Sequence, residues 1–415
     1  MIETPSAPGA ALDMEARPAP DPSKPVIFHI VCERDVGLFN LVLGVIPHTY
    51  WALAEGRIPI VYYGRNNCYW TPNGYRDRDT VWEYYFEPVV PEYPVSRIPA
   101  HVVKSIADDF SRKSRSGVGY FVDEFAFVSN DSAWHIEAEG GGLRGPVSHK
   151  PPSRKTRALA STIVRNHIRP RDYIVEKAEA FFRENLAGRY LIGVHIRGTD
   201  ALVDTTRHVR QGRVDFRKYI PVLRRLRQEN PDALIFVASD EQASVDRICE
   251  EFDGVVAYDS IRHQGGEIAG KGPAGGIMPA YLTQDPDRSA KNGEEAVIEY
   301  LLLCRCNYLV HNLASIPRMV LLTVPDMPET NTDLPSLRRR AAAVLRRATS
   351  TLRRRLELVG GTLQGQPIGS WARLLHELWA TKRAARRVSS PFIRPIPTEQ
   401  AQANQSSGTT NGSTE

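Results

Sequence analysis

Short apolar runs flank one helical pattern near the start of the chain. Residues 26–33 (VIFHIVCE) and 58–64 (IPIVYYG) have the length and composition of buried strands. Between them, residues 38–56 place apolar side chains at helical spacing, and the pattern predicts a helix that Pro47 interrupts and Gly56 ends. Strand, helix and strand in this order form one βαβ unit, which predicts a parallel sheet.

A second alternation is cleaner and covers residues 190–322. Four apolar runs predict strands at 190–198, 233–240, 254–260 and 307–313. Four amphipathic or apolar segments predict helices at 216–231, 241–252, 293–306 and 314–322. Strands that alternate with helices predict a second doubly wound unit. The expected fold class is therefore α/β, with two Rossmann-like domains that face each other across a cleft.

Composition shifts divide the chain further. The start is rich in Pro and Ala without periodicity, and the end is polar, so both are predicted to be disordered. The predicted divisions are a disordered N-terminus at 1–24, an N-terminal domain at 25–155, a C-terminal domain at 156–333, a basic helical segment at 334–398 and a disordered tail at 399–415.

The net charge of +5 is distributed unevenly over the 415 residues. Residues 335–390 contain 13 Lys and Arg against two acids, a charge of +11, which leaves −6 for the rest. A nucleic-acid-binding protein would spread positive charge over its folded body, so nucleic acid is not an expected partner. The helix predicted at 334–358 either lies on an anionic membrane surface or packs back onto the body with its basic face in solvent.

The five cysteines form an odd and scattered set, which favours a reducing cytosol over a disulfide framework. The N-terminus lacks the pattern of a signal peptide, and no stretch approaches the roughly 18 apolar residues of a membrane span. A cytoplasmic protein is expected, and the membrane alternative for the basic segment would place it at the inner face of the plasma membrane. Cys304 and Cys306 form a C-x-C pair without a second ligand pair at zinc spacing, so no metal is expected.

Two further segments leave alternatives open. The aromatic-rich residues 66–89 could form a stacking groove for a base or sugar, or a cluster that ties a long loop to the core. The glycine-rich residues 263–276 contain no G-K-[ST], so they are not a Walker motif. They are predicted to be a mobile loop, either a lid whose Lys271 reaches a phosphate or a plain flexible connection.

Polar groups follow three of the predicted strands, in the stretches HIRGTD, ASD and HNLAS. Ligands of open α/β sheets bind beyond the carboxyl ends of the strands. Arg197 could hold a phosphate there through a bidentate pair, and Ser315 with the first N–H groups of its helix could hold another phosphate oxygen. Glu299, one helix earlier, could accept both N1–H and N2–H of guanine. A lone arginine or histidine would indicate only a salt bridge or a structural group, but the joint pattern predicts a nucleotide diphosphate site.

These stretches resemble the motifs of the fucosyltransferase superfamily, which includes the α-1,6-fucosyltransferases, the nodulation fucosyltransferases and the protein O-fucosyltransferases. GVHIRGTD at 193–200 resembles the H-x-R-x-T-D motif, and IFVASD at 235–240 resembles the second strand motif. Residues 297–322 resemble the third motif, with Glu299 and Ser315 at its acidic and serine positions. The resemblance covers about residues 190–325.

The resemblance implies a GT-B fold that transfers fucose from GDP-fucose, with inversion and without a metal or cofactor, to a glycan or lipid-linked sugar. The C-terminal domain would hold the donor and the N-terminal domain the acceptor. Arg197 would neutralise the charge that develops on the β-phosphate, which makes it a catalytic residue. The other donor contacts implied are His195 and Glu299 to guanosine, Ser315 to the β-phosphate, Asp200 as a support of the loop or the arginine, and Asp240 close to the nucleotide.

The chain also departs from the family pattern. The core-fucosylating enzymes have a lysine directly after the motif aspartate and a glutamate further on, where this chain has Ala201 and Thr205. The general base is therefore unmatched, and Asp204 is the candidate because a base needs only reach and a suitable pKa. Gly198 replaces the second arginine of the motif.

These departures leave two alternative functions. The chain could be a non-catalytic nucleotide-sugar or glycan-binding protein, or a GT-B transferase that uses another nucleotide sugar.

Overall fold

The computed structural model describes residues 26–32, 36–113, 119–129, 135–136, 143–144, 152–198, 214–265, 269–271, 277–283, 285–312 and 314–333. All of these belong to one compact unit, Met1–Asp333. They form a mixed α/β architecture with two main sheets, as the alternating pattern predicts. The predicted basic segment and both predicted disordered ends lie outside the described residues, so those predictions remain predictions.

The first sheet has four strands in the order β2-β1-β4-β3. β1 runs parallel to both β2 and β4, and β3 pairs antiparallel at the edge. In this register Ile30 lies opposite Ile60 and Val128, so an apolar row crosses the sheet. The elements here are β1 (Phe28–Cys32), α1 (Leu38–Ala54), β2 (Ile58–Tyr62), α2 (Val81–Tyr85), a 3-10 helix (Val95–Arg97), α3 (Ala100–Lys113), β3 (Tyr120–Asp123) and β4 (Ala126–Ser129).

Helix α1 runs without a break through Pro47, so the predicted interruption is wrong. Proline in a helix interior removes one hydrogen bond and costs about 3 kcal/mol. Here the residues on both sides are buried, among them Val45, Ile46 and Trp51, and their packing offsets that cost. The helix ends just before Gly56, as predicted.

A histidine pair joins this helix to the sheet. His29 of β1 and His48 of α1 are buried, and His29 Nε2 lies 2.9 Å from His48 Nδ1. Burial, followed by the neighbouring His48 and Arg57, holds the pKa of His29 well below its usual value. The first sheet therefore contains a neutral histidine at its centre.

Short elements connect the two sheets. β5 and β6 pair antiparallel with each other. The two helices that follow begin at the end of the predicted N-terminal domain, and the Ser153 hydroxyl caps the first by accepting from the Thr156 N–H at 3.2 Å. The elements are β5 (His135–Ile136), β6 (Leu143–Arg144), α4 (Arg154–His167) and α5 (Asp172–Asn185).

The second sheet has five parallel strands in the order β13-β12-β7-β8-β9. All four predicted strands of this half are present. The fifth, β13, was not predicted, because its three residues Glu, Thr and Asn form no apolar run. The elements are β7 (Leu191–Ile196), α6 (Phe216–Glu229), β8 (Leu234–Ser239), α7 (Gln242–Glu251), β9 (Val255–Ala257), a hairpin of β10 (Ala269–Lys271) and β11 (Ile277–Pro279), α8 (Ala280–Thr283), α9 (Pro286–Cys304), β12 (Tyr308–His311), α10 (Ser315–Thr323) and β13 (Glu329–Asn331).

Central strand β7 is buried on both faces. Ile192, Val194 and Ile196 pack in one cluster with the apolar side of α6. On the opposite face, a Cβ at Gly193 would come within 2.9 Å of Cys306 Sγ, so only glycine lets the end of α9 approach this closely. His195 lies on that same face, two residues along the strand. The strand that carries the predicted motif is thus fixed from both sides.

The aromatic-rich residues 66–89 are part of the core. The side chains of Trp82, Tyr84, Tyr85 and Phe86 are at most 1% exposed. Tyr85 donates its hydroxyl hydrogen bond to the Ala290 carbonyl of α9 at 2.8 Å. Of the two alternatives, the structure supports the cluster that ties a long loop to the core.

All five cysteines fall in the described ranges, and none forms a disulfide. No helix in these ranges has the length and apolar character needed to span a bilayer. The same residues contain no group of three or more His, Cys, Asp or Glu side chains arranged to hold a metal ion. Burial raises the pKa of the Cys304 thiol to about 12, and this partly buried side chain packs against the main hydrophobic cluster.

Candidate functional site

Polar residues meet at one edge of the second sheet. β12, β7 and β8 are neighbours and run parallel, so their carboxyl ends lie side by side. Each of these strands is followed directly by one polar residue: Asn312 after β12, Arg197 after β7 and Asp240 after β8. The sequence predicted this meeting of strand ends, and the structure confirms it.

Asn312 fixes the backbone of Arg197. The Arg197 N–H donates to Asn312 Oδ1, and Asn312 Nδ2 donates to the Arg197 carbonyl, both at 3.1 Å. The side-chain amide of Asn312 thereby extends the hydrogen bonding between the parallel strands β12 and β7 by one position. The stretch HNLAS drew attention to this strand end, but no sequence signal assigned this role to Asn312.

Asp240 holds the side chain and the loop of Arg197. Its Oδ2 lies 3.3 Å from Arg197 Nε, and its Oδ1 accepts from the Gly198 N–H at 2.8 Å. Both oxygens therefore orient the arginine. The resemblance placed Asp240 close to the nucleotide and gave the supporting role to Asp200, which lies outside the described residues. The side chain of Arg197 remains 28% exposed.

His195 is a neutral side chain at the same edge. It is 4% exposed, and its pKa is lowered to about 3 by burial first and then by the charges of Arg197 and His311. Its Nδ1 atom is buried and has no hydrogen-bond partner among the described residues. An orphaned buried nitrogen is costly unless a ligand or water completes it, so this atom points to a binding site.

Glu299 is anchored through only one of its two carboxylate oxygens. Oε1 accepts from Ser260 Oγ at 2.7 Å and from the Arg262 guanidinium at 3.3 Å. Oε2 accepts no hydrogen bond from the described part of the chain, although the residue is only 6% exposed. Burial raises the pKa of Glu299 to about 7, and Arg262 opposes that rise. Oε2 of Glu299 thus remains available as an acceptor to a ligand.

Arg262 links the ends of two strands beneath Glu299. Its Nε donates to the Ser239 carbonyl at 3.2 Å, and its Nη1 donates to the Ser260 carbonyl at 3.3 Å. The side chain is 5% exposed. Arg262 was not predicted, because it lies in a loop without a strand-end or motif signal.

Ser315 opens helix α10, as predicted, at the carboxyl end of β12. The residue before it, Ala314, has no side chain that can cap the helix. The N–H groups of Ser315 and Ile316 donate to no described residue, and Pro317 has no N–H to satisfy. A helix start with uncapped N–H groups favours an anion.

Steric contact explains why the motif has a glycine at position 198. A Cβ at Gly198 would come within 2.6 Å of Glu241 Oε2 and 3.1 Å of Glu241 Cβ. Glu241 is itself held in place, because Ser244 Oγ donates to its Oε2 at 2.5 Å. A larger side chain at this position would meet Glu241, so Glu241 and the glycine at position 198 depend on each other.

Two residues predicted for the site, Asp204 and Lys271, are not among the described side chains that meet at this edge of the second sheet. Asp204, the candidate base, lies outside the described residues, as do 199–213 as a whole. Lys271 is the exposed last residue of β10, in a hairpin with β11. Neither alternative for the glycine-rich loop is tested by this placement.

Solved fucosyltransferases are similar to this chain in structure. A NodZ α-1,6-fucosyltransferase soaked with GDP-fucose matches at 17% identity over 72% of this chain and 93% of that chain, with a TM-score of 0.42. The fucosyltransferase NodZ from Bradyrhizobium matches at 17% identity over 75% and 97%, also with a TM-score of 0.42. POFUT1 in complex with GDP matches at 13% identity over 75% and 100%, with a TM-score of 0.44. No protein-family model and no curated protein matches the sequence. At these identities the similarity assigns no role to any residue of this chain.

Proposed function

We propose that this chain is a glycosyltransferase that transfers fucose from GDP-fucose to a glycan or lipid-linked sugar. The proposed arrangement is GT-B, with two Rossmann-like halves, and the proposed reaction is metal-independent and inverting. The observation that carries the proposal is the placement of Arg197, which is held by Asn312 and Asp240 at the strand edge where α10 begins. The sugar comes from the motif resemblance, whereas the candidate base Asp204 is proposed because it lies next to Thr205, where the core-fucosylating enzymes have a glutamate.

The leaving group would be stabilised by fixed positive groups. Charge that builds on the β-phosphate as the sugar departs would meet the Arg197 guanidinium and the uncapped N–H groups of α10. Because Asp240 and Asn312 already orient Arg197, little reorganisation is needed when the charge develops. A resident metal has no required task in this scheme.

Recognition of guanosine would use the two buried groups that lack a full set of partners. Glu299 Oε2 can accept from a guanine N–H, and its other oxygen is fixed by Ser260 and Arg262. His195 Nδ1 can complete its hydrogen bonding with the nucleoside. Both groups are desolvated, so an analogue that leaves them unpaired would bind much more weakly.

Titration calorimetry with GDP and UDP tests the donor. We expect GDP to bind more tightly than UDP, and Arg197→Ala to weaken GDP binding and abolish transfer. The matched control is Arg225→Ala, which removes an arginine that pairs with Glu229 on the exposed side of α6. Tighter binding of UDP would favour the transferase with another nucleotide sugar. Unchanged GDP binding in Arg197→Ala would remove the proposed role of this residue.

The non-catalytic alternative is favoured by Ala201 and Thr205, which stand where the core-fucosylating enzymes carry a lysine and a glutamate. Incubation with labelled GDP-fucose and a panel of oligosaccharides separates the two functions. Release of GDP that depends on an acceptor supports the transferase. Asp204→Asn should then abolish release while GDP affinity is retained, because a general base acts on the acceptor. GDP binding without any turnover would favour the binding protein.

The basic segment supports a separate proposal about location. Its charge of +11 over residues 335–390 would attract an anionic leaflet and present the enzyme to lipid-linked acceptors. Co-sedimentation with liposomes containing an anionic lipid tests this, with the chain ended at Asp333 as the comparison. Equal binding by the two chains would leave the segment no role at a membrane.

A further inference from the structure

Three backbone carbonyl oxygens fix the buried guanidinium of Arg262. Its Nε donates to the Ser239 carbonyl at 3.2 Å, its Nη1 donates to the Ser260 carbonyl at 3.3 Å, and its Nη2 donates to the Tyr258 carbonyl. The fourth contact runs from Nη2 to Glu299 Oε1 at 3.3 Å. A planar group held by three carbonyls cannot turn, so the direction in which Arg262 meets Glu299 is set by the backbone.

Glu299 meets this cation with one oxygen only. Ser260 Oγ donates to the same Oε1 at 2.7 Å, and Oε2 accepts no hydrogen bond from the described part of the chain. The side chain of Glu299 is 8% exposed. Because two donors hold Oε1, the planar carboxylate has one orientation, with Oε2 turned away from Ser260 and Arg262.

Glu295 lies one helical turn before Glu299 on α9 and uses both of its oxygens within the protein. Its Oε2 accepts from the Ile261 N–H at 2.7 Å, and its Oε1 lies 3.6 Å from Lys291 Nζ. This second carboxylate therefore holds the backbone of the residue before Arg262 against α9. The two carboxylates differ in that only Glu299 leaves an oxygen for a ligand.

The end of β8 anchors both arginines of the site. Arg262 Nε donates to the carbonyl of Ser239, the last residue of β8, and the next residue, Asp240, holds the side chain of Arg197. The His263 N–H donates to the Asp240 carbonyl at 2.9 Å, so the residue after Arg262 is fixed to the same strand end. The arginine proposed to bind phosphate and the arginine that orients the acidic acceptor are therefore held by adjacent residues of one strand end.

We propose that Arg262 determines the base specificity of the site: it fixes Oε1 of Glu299 and leaves Oε2 as the acceptor, so that a purine with an N–H donor at that edge is selected over a purine with an acceptor there. Guanine carries N–H donors at this edge, whereas N1 of adenine is an acceptor and would leave Glu299 unpaired. The proposal rests on the proposed function for the ligand, a nucleoside diphosphate. Arg262 acts through Glu299, and it is therefore a positioning residue.

Calorimetry of the full-length chain with GDP, ADP and inorganic pyrophosphate tests the selection. At about pH 8, above the pKa of about 7 of Glu299, the carboxylate is ionised and the wild-type chain should prefer GDP to ADP. Arg262→Gln should weaken GDP about tenfold and leave ADP and pyrophosphate unchanged, because only the contact to the base edge is disturbed. Ser260→Ala removes the other donor to Oε1 without a change of charge, so it should reduce the same preference by a smaller factor. The matched control is Arg247→Gln, which removes an arginine that pairs with acidic residues on the outer side of α7.

The pH dependence of GDP binding is a readout that a purely structural role would not move. Burial is the main cause that raises the pKa of Glu299, and the charges of Glu295 and Asp240 add to it, whereas Arg262 opposes the rise. Arg262→Gln leaves the two carboxylates unopposed, so the midpoint of GDP binding should lie about one pH unit higher. Arg262→Lys keeps the charge and should return the midpoint part of the way. An unchanged midpoint in Arg262→Gln overturns the proposal.

The outcomes separate this proposal from the proposed function. Equal weakening of GDP, ADP and pyrophosphate in Arg262→Gln would assign Arg262 a structural role only and overturn the proposal. A preference for GDP that survives in both Arg262→Gln and Ser260→Ala would also overturn it, while the donor assignment would stand. If Arg262→Gln does not fold, the result with Ser260→Ala decides in the same way. A wild-type chain that binds pyrophosphate but does not prefer GDP to ADP would overturn the donor assignment and this proposal together, since no selection would exist for Arg262 to determine.

Discussion

The side chain of Asn312 exchanges two hydrogen bonds with the backbone of Arg197, each 3.1 Å long, across the carboxyl ends of two neighbouring strands. The pairing extends the ladder of β12 and β7 by one position beyond the last backbone pair, His311 with His195. It fixes where the arginine leaves the sheet. The backbone of Arg197 is therefore oriented by Asn312, and its guanidinium by Asp240.

Replacing Asn312 by Ala should damage both stability and binding. Two hydrogen bonds are lost, and the partly buried groups of Arg197 are left without these partners, which costs about 1–3 kcal/mol. We expect a lower melting temperature and GDP binding weakened by about tenfold or more, measured by thermal unfolding and calorimetry. Asn185→Ala removes an exposed amide that bonds within α5 and serves as the control. Wild-type affinity for GDP in Asn312→Ala would show that the pairing does not set Arg197.

Gly198 and Glu241 should behave as a coupled pair. Gly198→Ala introduces a Cβ that meets the carboxylate and the Cβ of Glu241, so the loop of Arg197 must shift. We expect a loss of stability of about 1–3 kcal/mol. Glu241→Ala removes the carboxylate but keeps the Cβ, so it should restore part of that loss in the double variant. A double-mutant cycle from chemical denaturation measures the coupling, and strictly additive effects would contradict it.

Affinity for GDP should depend on pH through Glu299. The pKa of Glu299 is raised to about 7, and only the ionised carboxylate offers Oε2 to a guanine N–H while Ser260 and Arg262 occupy Oε1. The affinity should therefore rise as pH increases through about 7 and level off above it, by up to about tenfold per pH unit on the acid side. The same titration with Glu299→Gln isolates this contribution, because the phosphates of GDP titrate identically in both experiments. Parallel pH profiles for the two chains would exclude the contact.

The stability of the protein should fall on the acid side because of His29. The pKa of His29 is lowered in the folded chain, so the unfolded chain takes up the proton first as pH falls below about 6.5. This contribution to stability is complete above that pH and is lost at up to about 1.4 kcal/mol per pH unit below it. His29→Gln should flatten the decline, as measured by urea unfolding between about pH 7 and about pH 5, a range that includes the ordinary histidine pKa. Phe127→Leu alters the same packing without a titrating group and should keep the wild-type slope.

Strands β7, β8, β9 and β12 and helices α6, α7 and α10 were predictable because the pattern that predicts them is local. Apolar runs bounded by polar residues placed β7, β8 and β12 within a residue or two of their observed ends. Parallel strands must end at the same edge, so the meeting of Arg197 with its neighbours followed from the order of elements. The short strand β13 gave no such pattern, since its pairing with β12 depends on a tertiary contact.

The partners of the site residues could not be predicted in the same way. Arg262 reaches Glu299 from a loop, and Glu241 blocks Gly198 from the start of a helix, in both cases through side-chain positions that only the folded chain defines. Helix α1 continues through Pro47 for a similar reason, because the burial of its side chains outweighs the tendency of proline to interrupt a helix. Asp200 and Asp204 lie outside the described residues, and their proposed roles remain predictions.

Arg197 and Asn312 are 115 residues apart along the chain. Between them along the chain lie β8, β9 and α9, and β12 then pairs with the side of β7 opposite to β8. Contacts with so large a sequence separation form slowly, because the intervening chain must first be closed into a loop. A refolding chain should regain its helical circular dichroism early and its nucleotide affinity only in the last kinetic phase, so ligand binding reports the completed fold.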